Sequence, residues 1–247
     1  MFPELFHIGP LTVYTYGALF ALGMSLSAFL ATKRAPTIQL DSWAAFDLVI
    51  WTALAGIAGG RLAYMAEHAS YFISHPEESF KLWQGGLVFH GGIFGSLMYV
   101  YVFSRRKKKI FFSVLDFLIP YVALAYGVGR IGCFLNGCCY GRPFYGPWAV
   151  RYPFLDEPVH PTQIYSSLVG FTLFFFLLQV DRKKKFQGQT SAAYFFLYSA
   201  ARIAIEFYRG DKSHDMFGFA TEAQMVFFFM LIASLVFYGI RRLQSRL

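Results

Sequence analysis

The stretch Arg105-Arg-Lys-Lys-Lys-Ile-Phe-Phe-Ser-Val-Leu-Asp-Phe-Leu-Ile-Pro-Tyr-Val-Ala-Leu-Ala-Tyr-Gly-Val-Gly-Arg-Ile-Gly-Cys-Phe134 decides the fold. It opens on five consecutive cations and then, from Ile110 to Phe134, carries only Asp116 and Arg130 as charges. A bilayer core about 30 Å thick needs roughly 20 apolar residues per helical span. The segment from Phe111 to Phe134 meets that length, and the basic block ahead of it is what anchors a membrane helix on its cytoplasmic side.

Six further runs repeat the pattern. They extend from Leu11 to Thr32, Trp43 to Met65, Gly86 to Ser104, Thr162 to Val180, Gln189 to Tyr208 and Thr221 to Ile240. The composition agrees: 56% of the 247 residues are hydrophobic and 15% charged, which excludes an ordinary water-exposed globule. The net charge of +8 does not indicate nucleic-acid binding, because the cations fall between apolar runs and not on a mixed polar surface. Open strands would leave backbone groups unpaired in lipid, and barrel-type alternation is absent. The expected fold is therefore an all-α polytopic membrane protein of seven transmembrane helices. Residues 1–247 form a single integral membrane domain, and residues 134–161 a short outer-face segment between helices four and five.

Orientation follows from the cations. Lys33 and Arg34, Arg105 to Lys109, Arg182 to Lys185, and Arg241, Arg242 and Arg246 make fourteen of the 22 basic residues, and all fall on one side if the spans alternate. By the positive-inside rule that side is cytoplasmic, so the amino terminus is outside and the carboxyl terminus inside. Met1 to Pro10 lacks a basic leader, and the first apolar run ends in Lys-Arg without a small-residue cleavage site. It reads as a retained anchor helix.

Eight cations remain: Arg61, Lys81, Arg130, Arg142, Arg151, Arg202, Arg209 and Lys212. An arginine at the bilayer centre costs about 2.5 to 3.5 kcal/mol, so Arg61, Arg130 and Arg202 need an interface or a polar cavity. The alternating topology puts these three and Glu206 toward the outer ends of spans two, four and six. It puts Tyr16 and His90, early in spans one and three, in the outer half as well. Simple snorkelling to outer headgroups is the alternative for each residue alone; for the set, the pattern predicts a polar site open to the outer leaflet. Tyr198, Arg202, Glu206 and Arg209, spaced 4, 4 and 3, share one helical face. Gly56 with Gly60, and Gly91 with Gly95, have the small-xxx-small spacing of close helix packing.

Two strings then resemble a known family. Gly129-Arg-Ile-Gly-Cys-Phe-Leu-Asn-Gly137, continuing to Tyr140-Gly-Arg142, resembles the signature of the bacterial prolipoprotein diacylglyceryl transferases, and Phe89-His-Gly-Gly-Ile-Phe-Gly95 resembles their histidine-glycine motif. Tyr16-Gly17, Gly60-Arg61-Leu62, His160-Pro-Thr-Gln-Ile-Tyr165 and Arg202 through Glu206 to Arg209 match in order. The segment from Phe134 to Pro161 is shorter than in longer members. Gly218 to Gln224 follows the family only loosely, so Glu222 and Gln224 are not counted as site residues.

The resemblance implies a seven-helix enzyme of the bacterial inner membrane whose site faces the outer leaflet. It moves the diacylglyceryl group of phosphatidylglycerol to the lipobox cysteine of a prolipoprotein, forming a thioether and releasing glycerol phosphate. Its partners are phosphatidylglycerol, the prolipoprotein signal peptide and membrane lipid. Arg130 and Arg202 are expected to stabilise the departing phosphate, since a guanidinium binds phosphate bidentately and stays charged when desolvated. His90 is expected either to take the thiol proton or to donate a hydrogen bond to phosphate. Tyr16, Arg61, Asn136, Gly137, Gly141, Tyr198, Glu206 and Arg209 complete the expected substrate-binding set, with Glu206 holding Arg202. Arg142 and Arg151 are read as contacts for anionic lipid or the exported substrate.

No cofactor is expected. Cys133, Cys138 and Cys139 stand at Cys-x4-Cys-Cys, which is not a usual zinc spacing, and adjacent ligands strain a tetrahedron. No phosphate-binding glycine loop is present. Two rivals stay open: a transporter for an anionic solute, for which Asp47 and Asp116 would be the inner polar groups, and a transferase using the same lipid with a different thiol or amine acceptor.

Overall fold

The computed structural model describes residues 4–8, 11–81, 85–210, 215–216 and 220–245; Lys212, Gly218 and Arg246 lie outside them. Seven long helices follow the seven apolar runs: α1 Thr15–Arg34, α2 Ser42–Glu67, α4 Phe89–Arg106, α5 Phe111–Asn136, α6 Thr162–Arg182, α7 Gln189–Glu206 and α8 Glu222–Gln244. A short helix α3, Ala69–Ser74, follows α2. Two small antiparallel pairs are additions to the expected all-α plan: β1 Glu4–Ile8 with β2 Leu11–Tyr14, and β3 Asp215–Met216 with β4 Ala220–Thr221. Among the described residues α1, α2, α5, α6 and α8 are long and apolar enough to cross a membrane. The 18-residue helices α4 and α7 are less apolar, because one is glycine-rich and the other carries Thr190, Ser191, Ser199, Arg202 and Glu206.

Two compact units make up the chain, residues 28–115 and residues 1–27 with 116–247. The smaller is built on α2 and α4. Asp41 starts α2 by accepting a 2.7 Å hydrogen bond from the Ala44 amide, which satisfies one of the unpaired donors at a helix start. The two helices run in opposite directions, Gly56 facing Ser96 and Gly60 facing Val88. A Cβ at Gly59 would strike the Gly91 carbonyl, and one at Gly95 would strike that of Ala55, so the backbones themselves are the interface. Gly95→Ala should therefore cost about 1 to 3 kcal/mol of stability by overpacking. A thermal melt in detergent reads it, and an unchanged midpoint would show that the helices can separate freely. At the other end of the pair, Asp47 lines a cavity of about 300 Å³ with Asp41, Trp43, Trp51 and Arg106.

In the larger unit, α7 packs on both α6 and α8. Close approach of α5 and α6 rests on Gly127 and Gly170: a Cβ on Gly170 would lie 2.7 Å from the Gly127 Cα. Asp116, with no exposed surface, caps α7 from a different helix. Its carboxylate accepts from the Gly188 amide at 2.8 Å, the Ser191 amide at 2.9 Å and the Ser191 hydroxyl at 2.8 Å, with Lys184 Nζ at 3.4 Å. A negative charge at a helix start is where the macrodipole favours it. Asp116 is thus fully engaged in joining α5 to the α6–α7 turn.

Candidate functional site

Within the larger unit the expected face of α7 is realised. Arg202 Nη1 meets Glu206 Oε2 at 2.5 Å, and Arg209 Nε approaches the same oxygen at 3.9 Å. The other oxygen, Oε1, accepts from the Thr221 hydroxyl at 3.3 Å. Glu206 is buried at 5% exposure, so its charge is held by these partners and it in turn fixes the guanidinium of Arg202. Nε and Nη2 of Arg202 carry no hydrogen bond among the described residues, and the guanidinium faces the Phe227 ring at 5.7 Å.

Arg130 stands on α5, one turn beyond Tyr126, with its guanidinium 4.9 Å from that ring. It makes no hydrogen bond or ion pair among the described residues. Tyr126 packs edge-on against Tyr198 at 5.3 Å, and Tyr198 contacts Phe227 at 5.6 Å. The two arginines are therefore linked by a continuous aromatic path, Arg130–Tyr126–Tyr198–Phe227–Arg202. Tyr198, expected from the α7 face, sits at its middle. Tyr16 lies at the start of α1, 45% exposed, where Gly132 lets α5 approach: a Cβ there would lie 3.3 Å from the Tyr16 Cα.

Beyond Arg130 the chain turns sharply. Asn136 ends α5 and is exposed, and Gly137 adopts a φ of 77°, the left-handed conformation that commonly closes a helix. The Gly141 amide then donates to the His160 carbonyl at 2.8 Å, and the Arg142 amide to the Tyr208 carbonyl at 2.9 Å. A Cβ on Gly141 would lie 2.5 Å from the Tyr208 carbonyl, so this glycine serves the close seating of the outer segment on the end of α7. Arg142 faces the Tyr208 ring at 5.6 Å. His160 stacks on Phe144 at 3.9 Å; burial, and secondarily the Arg142 charge, lower its pKa below the usual 6.5, which keeps the imidazole neutral at pH 7.

Arg61 and His90 belong to the smaller unit. Arg61 is buried, and its guanidinium donates to four backbone carbonyls: Ser79 at 3.0 Å, Gly85 at 2.9 Å, Gly86 at 3.3 Å and Glu78 at 2.6 Å. Its observed work is to close the loop that leads into α4, and four of its five N–H groups are committed there. His90 stands in the first turn of α4, exposed beside Phe89.

The expectations missed Tyr126, Phe227 and Thr221. Nothing local marks the two aromatics, which matter only because α5 and α8 meet α7. Thr221 did carry a signal. Thr221-Glu-Ala-Gln224 has the capping-box pattern, and both reciprocal bonds form, at 3.0 and 3.2 Å. The box fixes the hydroxyl that holds Glu206.

Residues 3–240 match the family model described as prolipoprotein diacylglyceryl transferase. Among curated proteins, the phosphatidylglycerol–prolipoprotein diacylglyceryl transferase of Clostridium tetani is 36% identical, covering 100% of both chains. Those of Legionella pneumophila (strain Lens) and Pseudomonas putida are 34% and 33% identical, covering 97% and 95% of this chain and 97% and 91% of their own.

Proposed function

The chain belongs to the prolipoprotein diacylglyceryl transferase family, and from that premise we propose that Arg130 and Arg202 are the phosphate-binding pair of its reaction. The protein transfers the diacylglyceryl group of phosphatidylglycerol to prolipoproteins, a step of lipoprotein maturation. The observation that carries the site assignment is the pairing of one guanidinium aimed by a buried carboxylate with another that has no hydrogen-bond or ion-pair partner among the described residues.

The electrophile is a saturated glycerol carbon bearing a phosphodiester oxygen. The acceptor thiol, read as the lipobox cysteine, attacks as thiolate; a C–S bond forms, the C–O bond breaks, and the electron pair leaves with the phosphate as glycerol phosphate. A free thiol has a pKa of about 8.5, so the site must favour the thiolate. It must also stabilise charge growing on the leaving oxygen. Arg202 presents Nε and Nη2 in the fork that suits a phosphate, while Glu206 and Thr221 fix its orientation. Arg130 supplies a second guanidinium, without a hydrogen bond among the described residues, on the far side of the Tyr198 contact.

His90 is proposed to take the thiol proton, a role that rests on its motif and on the chemistry of a neutral imidazole. The seven long helices are proposed to be seven spans, with α4 and α7 tolerated despite their polarity because they carry the working groups. The fourteen basic anchors then place the amino terminus outside, the site toward the outer leaflet and the protein in the bacterial inner membrane.

Purified protein given phosphatidylglycerol and a lipobox peptide should yield a peptide heavier by one diacylglyceryl group, together with free glycerol phosphate, both read by mass spectrometry. An intact, lipid-competent preparation yielding neither sinks the reading. A peptide with serine in place of cysteine separates transfer from lipid hydrolysis.

A further inference from the structure

Cys133 lies in the last turn of α5, and Cys138 and Cys139 in the turn that follows. Their three sulfurs lie within 4.8 Å of one another, with Cys138 and Cys139 Sγ 3.7 Å apart. We propose that these thiols form a binding site for a thiolate-seeking divalent cation, with Zn²⁺ as the fitting probe.

The spacing argues against such a site only while the backbone is taken as ordinary. Here Gly137 and Cys139 both have left-handed backbones, φ 77° and 63°, and the Cys138 amide donates back to the Cys133 carbonyl at 3.2 Å. That turn folds the Cys-Cys pair onto the helix end and brings adjacent side chains together. At a Zn–S distance of about 2.3 Å, tetrahedral geometry puts sulfurs about 3.8 Å apart. The observed separation of Cys138 and Cys139 is within 0.1 Å of that figure, and the whole cluster needs only small rotamer adjustments.

The surroundings suit the complex. Three thiols and a divalent cation give a site of net charge −1 and release three protons. Arg130 and Arg209 both lie in Coulombic range of Cys139 and offset that charge. Gln163, at 1% exposure, donates from Nε2 to the Cys138 carbonyl at 2.6 Å and so holds the turn from α6. Thr162 meanwhile donates to the Cys139 carbonyl at 2.7 Å, so the turn is held in place from α6 as well.

The test uses the full-length protein in detergent, reduced and stripped of metal under anaerobic conditions. Zn²⁺ is titrated against a chromophoric chelator, and Co²⁺ serves as a spectroscopic substitute. One equivalent should bind per chain, with proton release seen as buffer-dependent heat in calorimetry. Co²⁺ should give thiolate-to-metal charge-transfer absorption. Cys133→Ser, Cys138→Ser and Cys139→Ser, each confirmed as folded by gel filtration, should weaken binding at least tenfold. No binding to the reduced protein overturns the proposal. So does equal binding by all three variants, or a disulfide between any two of these cysteines in protein purified without reductant.

Discussion

Arg202→Ala should lower kcat/KM for diacylglyceryl transfer by about 10²- to 10³-fold, the cost of removing a charge-stabilising donor from a preorganised site. The loss should fall mainly on kcat if the guanidinium binds the leaving phosphate more strongly as its charge develops. Arg202→Lys should recover little, because an ammonium is a point charge and cannot keep both the Glu206 contact and a two-pronged phosphate contact. A complication has a measurable signature. Among the described residues, removing Arg202 leaves Glu206 buried with Thr221 at 3.3 Å and Arg209 at 3.9 Å, and breaking a buried pair can cost about 3 to 5 kcal/mol. The Arg202→Ala/Glu206→Gln double variant removes that uncompensated charge. It should regain thermal stability relative to the single variant and stay inactive. If it regains turnover as well, Arg202 serves the fold and not the phosphate.

The helices were legible because lipid makes their signal one-dimensional. Each of the seven apolar runs became a helix of 18 residues or more, since a chain without water must satisfy its backbone internally. The α7 face was legible for a similar reason: 4, 4, 3 spacing fixes azimuth whatever the tertiary structure, and Arg202 and Glu206 do meet. Contacts between helices were not legible. Arg61 reads in sequence as a cation that either snorkels to headgroups or faces a polar site, yet the carbonyls of Glu78, Ser79, Gly85 and Gly86 engage it. Asp116 reads as a polar exception close to an inner helix end, with no task assigned to it, yet it caps α7. Both outcomes depend on irregular backbone folding back on a helix, for which hydrophobic periodicity carries no information. The convergence of Cys138 and Cys139 depends likewise on a left-handed residue that is not glycine, a conformation uncommon enough that no spacing rule anticipates it.

Arg130 calls for the opposite stability signature. Arg130→Leu should abolish detectable transfer, a fall of at least about 10²-fold, while leaving the melting temperature unchanged or raising it. The reason lies in what the residue touches. Arg202 is paired by Glu206, but among the described residues Arg130 has no carboxylate partner, and its guanidinium rests on the face of Tyr126 at 4.9 Å, worth about 0.5 to 2 kcal/mol. Holding a guanidinium in a membrane helix costs about 2.5 to 3.5 kcal/mol, a cost that phosphate bound as proposed would offset. Trading the cation for an apolar side chain removes that cost along with the function, as stabilising changes at working sites commonly do. Tyr126 divides the two contributions further. Tyr126→Phe keeps the ring under Arg130 and should stay near wild-type rate, whereas Tyr126→Leu removes both the ring face and the edge contact to Tyr198, and should lower kcat/KM about fivefold through loss of a cation–π contact of about 1 kcal/mol. A melting temperature that falls sharply in Arg130→Leu would mean that Arg130 holds the helices together. Equal rates for the two Tyr126 variants would mean that the aromatic path from Arg130 to Arg202 has no part in aiming either guanidinium.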